Sequence, residues 1–222
     1  MTLMRQNMNV LWASVLVEEL CRIGVDRFFV SPGNRNAPLV AALVHHPHAI
    51  AHSCMDERGA AYCALGFAKA TGRPGVVVCT SGTALANYGP AVIEAFRDHL
   101  PLMVLSADRP PELTGSDANQ TIYQEGLFGP YCLESLNLPC PDPDFPLTAL
   151  AARICRLAQV KTGPVHINCR FRDPLVPVAA ASSPVPTSVV AAAERYFAKT
   201  DPATLYPQTE PYCPDLSGVI TI

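Results

Sequence analysis

Charge is scarce in this chain: Asp, Glu, Lys and Arg together make 16% of its 222 residues. The net charge is −3 and the pI is near 6.0, with no Lys/Arg run or basic stripe, which argues against a nucleic-acid partner. Long hydrophobic runs are missing too. Stretches such as Pro101 to Leu105 are far too short to span a bilayer, and the first residues, MTLMRQNMNV, lack the apolar centre of a secretory signal. Nine cysteines are present, but the nearest two, Cys132 and Cys140, are eight positions apart, so no CxxC zinc spacing exists. Cys21, Cys63, Cys79 and Cys155 lie in apolar patterns and read as small buried hydrophobes of a reducing, cytoplasmic protein. There is no Walker loop, no GxGxxG, no GxSxG elbow and no internal repeat. His45, His46 and His48 cluster, but without convergent further ligands they do not make a metal site.

What remains is an apolar content of 49%, enough for one good core, distributed in alternating helix and strand patterns. Helices are expected over Asn9–Ile23 (stopped by Gly24), Ala37–His45 (Asn36 as N-cap), Glu57–Thr71 (stopped by Gly72), Ala84–Phe96 and Leu147–Gln159. Pro90 predicts a bend or a late start in the fourth. Strands are expected at Arg27–Val30, Ala49–Cys54, Val76–Thr80, Leu102–Ala107, Tyr131–Leu136 and Val165–Cys169. The alternation predicts an α/β fold: a parallel sheet of about six strands with helices on both faces. Trp12, Phe28 and Phe29 are expected in the core. Asp108–Gly129 is polar and aperiodic, and an irregular stretch of that length inside a compact domain usually carries function.

A domain over residues 1–177 is expected, followed by a Pro/Ala-rich linker or the start of a second domain over 178–222. Eight of the 22 prolines fall from Pro174 onward, and Val178–Thr187 has linker composition. Val189–Ala198 could form a short helix, and Leu216–Ile222 reads as a strand-like fragment.

The chemistry centres on Cys54 to Tyr88. Glu57 opens a helix, where the dipole favours a carboxylate on structural grounds alone. Small residues Gly59-Ala60-Ala61 follow and let another body approach, so the same carboxylate could share a proton with a ring nitrogen of a heterocycle. Thr80-Ser81-Gly82-Thr83 joins a strand to a helix and suits a phosphate or a polar ring edge; an ordinary tight turn would look the same. Arg35, in SPGNR, and Arg109, in SADRPPE, each follow an apolar strand. In a parallel sheet both loops leave one edge, and two guanidiniums there can clamp carboxylates. A structural ion pair with Asp108 or Glu112 is the alternative. Asn119 and Gln120 could read a polar substrate or be plain surface amides.

Taken in order, SPGNRNAPL, DERGAAYCALGFAKATGRP, CTSGTALANYGPAVIEA, LSADRPPEL, ANQTIYQEGLFG and GPVHINCRFRDPL resemble the pyrimidine-binding (PYR) domain of thiamine-diphosphate enzymes. Within those they resemble the 2-succinyl-5-enolpyruvyl-6-hydroxy-3-cyclohexene-1-carboxylate (SEPHCHC) synthase family of menaquinone and phylloquinone biosynthesis, over about Val10 to Pro177. The resemblance implies that Glu57 is the catalytic glutamate bonded to N1′ of the aminopyrimidine, making the 4′-amino group acidic enough to activate the thiazolium. It implies cofactor contacts from Pro32, Glu57, Gly82, Thr83 and Asn87, and substrate contacts from Asn34, Arg35, Arg109, Asn119 and Gln120. The substrates implied are 2-oxoglutarate and isochorismate. The cofactors are thiamine diphosphate and Mg2+, the metal held by a different domain, and the assembly is a homodimer or homotetramer with the cofactor at the subunit interface.

The pattern departs from the family in three places. Asn34 and Asn36 stand where serines are usual, Asp117 stands where glycine is usual before Ala-Asn-Gln, and no GDG…N stretch for Mg2+ and diphosphate occurs in these 222 residues. The expectation is therefore half an active site, inactive alone. Two other readings stay open: the PYR domain of a decarboxylase or acetolactate synthase-like enzyme, and a non-catalytic interaction module.

Overall fold

A computed structural model describes residues 7–176 and 185–203. Asn7 starts the fold by capping the first helix, its side chain accepting from the amides of Asn9 and Val10. That helix, α1 (Met8–Arg22), ends at Ile23, and Gly24 turns the chain with φ of 85°. Next come β1 (Arg27–Val30), α2 (Ala37–His45) and β2 (Ile50–Ser53). Asp56 caps α3 (Glu57–Thr71) through the Gly59 amide, and Gly72 closes it in the left-handed region. β3 (Gly75–Cys79) leads to α4 (Thr83–Ala86) and α5 (Gly89–Arg97). The helix expected as one piece is thus two, broken just before Pro90, which has no amide to continue the ladder and sits in the first turn of α5. β4 (Leu102–Asp108), the irregular segment, β5 (Glu134–Leu138), α6 (Leu147–Ala158), β6 (Val165–Arg170) and α7 (Thr187–Phe197) complete the described chain.

All neighbouring strands pair in parallel, in the order β2-β1-β3-β4-β6-β5. The six-stranded α/β sheet expected from the alternation is what the chain forms. Strand residues alternate between two faces. On one face Val76, Val78, Met103, Leu105, Val165 and Ile167 pack with α1, α2, α6 and α7. On the other, Val77, Cys79, Leu102 and Val104 pack with α3, α4 and α5.

Some local expectations need correction. The fifth strand starts at Glu134, not Tyr131, because Gly129–Tyr131 closes a 3-10 turn first. Asn36 holds the N-cap position of α2 as expected but makes no side-chain capping bond; its side chain accepts from the Gly33 amide and donates to the Ser31 carbonyl, bracing the loop from a fully buried position. Cys79 and Cys155 are buried, but Cys63 is exposed and Cys21 half-buried. Trp12 and Phe28 are core residues, whereas Phe29 is half-buried and stacks on His52 with ring centroids 5.1 Å apart. The linker expected beyond Pro177 falls partly on 177–184 and 204–222, and Leu216–Ile222 wholly so; these lie outside the described residues. The described part, 185–203, packs on the sheet domain: Val185, Val189, Ala193 and Tyr196 join its core. The Arg22 guanidinium lies 4.4 Å from the Tyr196 ring centroid, and the Tyr196 hydroxyl donates to Glu19 at 2.6 Å.

Candidate functional site

In a parallel sheet every loop that follows a strand leaves the same edge. The loops after β1, β2, β3, β4 and β6 therefore gather Ser31–Asn36, Cys54–Glu57, Thr80–Thr83, Arg109 and Phe171–Asp173 along one rim. Neighbours β1 and β3 are followed by helices on opposite faces, α2 on one and α4 and α5 on the other. Such a divergence opens a crevice above the strand ends, the place where open α/β sheets bind ligands.

Glu57 is the first residue of α3 and is half-buried at this rim. Among the described residues no hydrogen bond or ion pair engages its carboxylate, which leaves it free to bond something else. Its charge is felt by Cys79, whose thiol is driven up mainly by burial, and by Tyr88, whose phenol burial also drives up. The buried Tyr88 hydroxyl lies against Ser31 and the Cys79 thiol, its hydrogen-bonding neighbours. Thr83 and Asn87 are exposed, and the Asn87 amide donates to the Thr83 carbonyl at 2.9 Å. Pro32 and Asn34 are exposed on the neighbouring loop. Gly33 approaches the next loop so closely that a Cβ there would lie 2.6 Å from Thr80 Cβ.

The two arginines do converge. Arg35 is buried; its Nη1 donates to the Phe171 carbonyl and to Asp173, both at 3.0 Å, while its Nε is buried with no partner. Arg109 donates to Ser81 Oγ at 2.8 Å and to the Asn119 carbonyl at 2.7 Å. Burial, and then the charge of Arg35, lower the pKa of Arg109; Asp173 and Asp108 oppose the shift. Asp173 and Asp108 offset part of the positive charge that the two guanidiniums bring to this rim. Ion pairs do form, but with other partners than expected: Asp173 serves Arg35, and Glu112 serves Arg172.

Gln120 is pinned to the β3 turn. Its side-chain amide donates to the Ser81 carbonyl at 3.1 Å and its own carbonyl accepts from Ser81 Oγ at 3.1 Å. Gly82, at φ of 80°, lies against it, and a Cβ there would sit 2.8 Å from the Gln120 carbonyl oxygen. Asn119 is exposed. Asp117 has φ of 55°, a conformation that glycine takes freely and Asp tolerates.

A buried polar network behind the rim escaped the reading of the residues. It joins Ser106, Asp108, Gln124, His166 and Asn168, all buried, with Asn137 at its margin. One signal pointed to it: Ser106 with Asp108, and His166 with Asn168, fall on alternate positions of otherwise apolar strands. Among the described residues no group of three or more His, Cys, Asp or Glu could hold a metal ion, and no helix is long and apolar enough to cross a membrane.

The rim fits the pyrimidine half of the implied cofactor: a carboxylate with no partner among the described residues, and a glycine turn without room for a side chain. Comparison with known proteins bears on the same stretch. A family model described as "Thiamine pyrophosphate enzyme, N-terminal TPP binding domain" matches residues 12–127, just over half of the 222-residue chain. A curated protein of Syntrophus aciditrophicus, named 2-succinyl-5-enolpyruvyl-6-hydroxy-3-cyclohexene-1-carboxylate synthase, is 61% identical over 201 residues, covering 90% of this chain and 35% of that protein. Proteins of the same name from Pelodictyon phaeoclathratiforme and Salinibacter ruber are 50% and 46% identical over 177 and 213 residues, covering 78% and 94% of this chain. The chain spans about a third of the length of these relatives.

Proposed function

The chain belongs to the family of the thiamine pyrophosphate enzyme N-terminal TPP binding domain, and from that premise we propose that it supplies the pyrimidine-side half of a SEPHCHC synthase active site. The reaction assigned is decarboxylation of 2-oxoglutarate and addition of the remaining four-carbon unit to isochorismate. Thiamine diphosphate, when bound, supplies the carbon nucleophile for that chemistry. The observation that carries the reading is the single rim that holds the unpartnered Glu57 carboxylate together with the converging Arg35 and Arg109.

Each residue then has a task it can perform from where it stands. Glu57 holds a proton at the pyrimidine N1′ from the start of α3. Gly82, Thr83, Asn87 and Pro32 border the ring. Arg35 and Arg109 receive the carboxylates of 2-oxoglutarate and isochorismate, and Asn34, Asn119 and Gln120 bond their remaining oxygens. Mg2+ and the diphosphate are assigned to a second domain, and residues 1–177 to the pyrimidine-binding one.

The second domain comes from another copy in this reading, so the chain works as a homo-oligomer with the cofactor at the seam. Supporting that, α3 exposes Gly59, Tyr62, Cys63 and Gly66, α5 exposes Ile93, and Met55 stands 93% exposed beside them. Among the described residues no disulfide joins the eight cysteines, and the setting we assign is cytoplasmic.

The test combines this chain with a diphosphate-binding domain and follows consumption of isochorismate with 2-oxoglutarate. Glu57→Gln is expected to lower turnover by roughly 10²- to 10⁴-fold, the usual worth of a positioned acid–base group. Turnover by the unaided chain, or an unimpaired Glu57→Gln variant, would overturn the proposal.

A further inference from the structure

Gln124 is 1% exposed in the middle of an irregular surface segment, and nothing in its local sequence requires that. Its Oε1 accepts from the Gly82 amide at 2.8 Å. Its Nε2 donates to the Ala107 carbonyl at 3.1 Å and to Asn168 Oδ1 at 2.9 Å. Asn168 in turn donates to Asp108 and to Asn137 Oδ1, each at 2.8 Å, and its Oδ1 also accepts from Ser106 Oγ at 2.7 Å. The Ser106 proton is thereby used, so His166 Nε2 donates to Ser106 Oγ at 2.7 Å.

The direction of every donor follows from one end. Asp108 Oδ2, which faces the Arg170 guanidinium at 3.8 Å, accepts from Asn168, and this turns the Asn168 amino group toward it. The Asn168 oxygen then faces Gln124, so the Gln124 amino group must face Asn168, and its oxygen is left for Gly82. The other carboxylate oxygen of Asp108 accepts from the Arg109 amide at 2.7 Å. One buried carboxylate therefore sets both the backbone that carries Arg109 and the turn that carries Gly82 and Thr83.

We propose that Gln124 is a positioning residue whose carboxamide, polarised through Asn168 by Asp108, locks the Gly82 turn on the cofactor side to the end of β4 that carries Arg109 on the substrate side. The assignment of those two sides rests on the function proposed above; the lock itself rests on the hydrogen bonds.

Three variants test it: Gln124→Leu, Asn168→Asp, and the exchange Asp108→Asn with Asn168→Asp. Asn168→Asp sets two carboxylates against each other, whereas the exchange restores a donor at 108 and an acceptor at 168, with Asn137 turning its amide away from the exposed Glu125 to donate there. Two quantities are read. One is hydrogen exchange of the Gly82 amide in the 222-residue chain. The other is the Kd of thiamine diphosphate by calorimetry once a diphosphate-binding domain is supplied. Gln124→Leu and Asn168→Asp are each expected to speed Gly82 exchange and to raise the Kd by on the order of tenfold, the worth of a buried neutral hydrogen bond. The exchange variant is expected to recover most of both. Parent-like Gly82 exchange and Kd in Gln124→Leu would overturn the proposal, as would an exchange variant no better than Asn168→Asp. If Gln124→Leu does not fold, that last pair decides alone. If even the parent fails to bind thiamine diphosphate, the proposed function falls, and Gly82 exchange still passes judgement on the lock.

Discussion

The two faces of the sheet are built from different materials. The α1, α2, α6 face is filled by large aliphatic side chains: Leu11, Leu16 and Leu20 from α1, Leu39 and Leu43 from α2, Leu150, Ile154 and Leu157 from α6. The α3, α5 face is filled by alanine. Ala60, Ala61, Ala64 and Ala68 are the buried residues of α3, and Ala91 and Ala95 flank Val92 on α5. Toward β5 and β6 that second face turns polar, with Ser106, His166, Asn168 and Gln124 under Phe128. Apolar area buried is what holds a fold, at roughly 25 cal/mol per Å². Most of the stability therefore resides on the first face. The second, thinner and partly polar, is free to hold the rim in one geometry.

The contrast is sharpest in a truncation of the thick face. Ile154 is fully buried on α6. Ile154→Ala is expected to cost about 2–5 kcal/mol, read as a shift in the urea midpoint at unchanged slope. A loss below 1 kcal/mol would mean that the thick face is not where stability is concentrated.

The polar part of the second face makes stability depend on acid. Burial pushes the His166 imidazole down to about 4, from an ordinary value of 6.5. Below pH 6.5 the unfolded chain takes up a proton that the folded chain refuses, so stability falls as the pH drops from 6.5 toward 4 and the loss levels off below that. The slope approaches about 1.4 kcal/mol per pH unit. His166→Gln can still donate to Ser106 and cannot titrate. Urea midpoints at pH 7 and pH 4.5 should differ less in this variant than in the parent; equal differences would show that His166 does not contribute.

Much of this was legible beforehand, and the misses have physical causes. Helix stops at Gly24 and Gly72, the break at Pro90 and the buried run of β4 follow from local chemistry, so they could be read residue by residue. Glu57, Arg35 and Arg109 could be brought to one rim because parallel strands all point one way. The start of β5 could not, since Gly129–Tyr131 satisfies its amides in a 3-10 turn that composition does not announce. Nor could Gln124, whose partners Gly82 and Asn168 lie 42 and 44 positions away. An amide that spans such distances leaves no periodicity around itself.

A single added methyl probes how closely the thin face is drawn in. A Cβ on Gly75 would lie 2.5 Å from the Ala64 carbonyl oxygen, so α3 rests on β3 backbone to backbone. Gly75→Ala is expected to cost about 1–3 kcal/mol, since relief requires moving a helix and not a side chain. A thermal midpoint matching the parent's would mean that α3 lifts freely, and that its alanines pack less tightly than the buried fraction suggests.

The same substitution nine residues earlier should change sign. Gly66 sits in the middle of α3 on its exposed side, with nothing within 4 Å of an added Cβ. Gly66→Ala removes only the conformational freedom of the unfolded chain and is expected to raise stability by roughly 0.5–1 kcal/mol. Gly66→Arg should likewise leave the fold unharmed, but it plants a long charged side chain among Gly59, Tyr62 and Cys63. If that surface is the seam of a homo-oligomer, light scattering will report the smaller species for Gly66→Arg and the larger for Gly66→Ala at equal concentration. Equal masses for the two variants would leave the thin face with no partner to explain its glycines, and the contrast between the faces would then be one of packing alone.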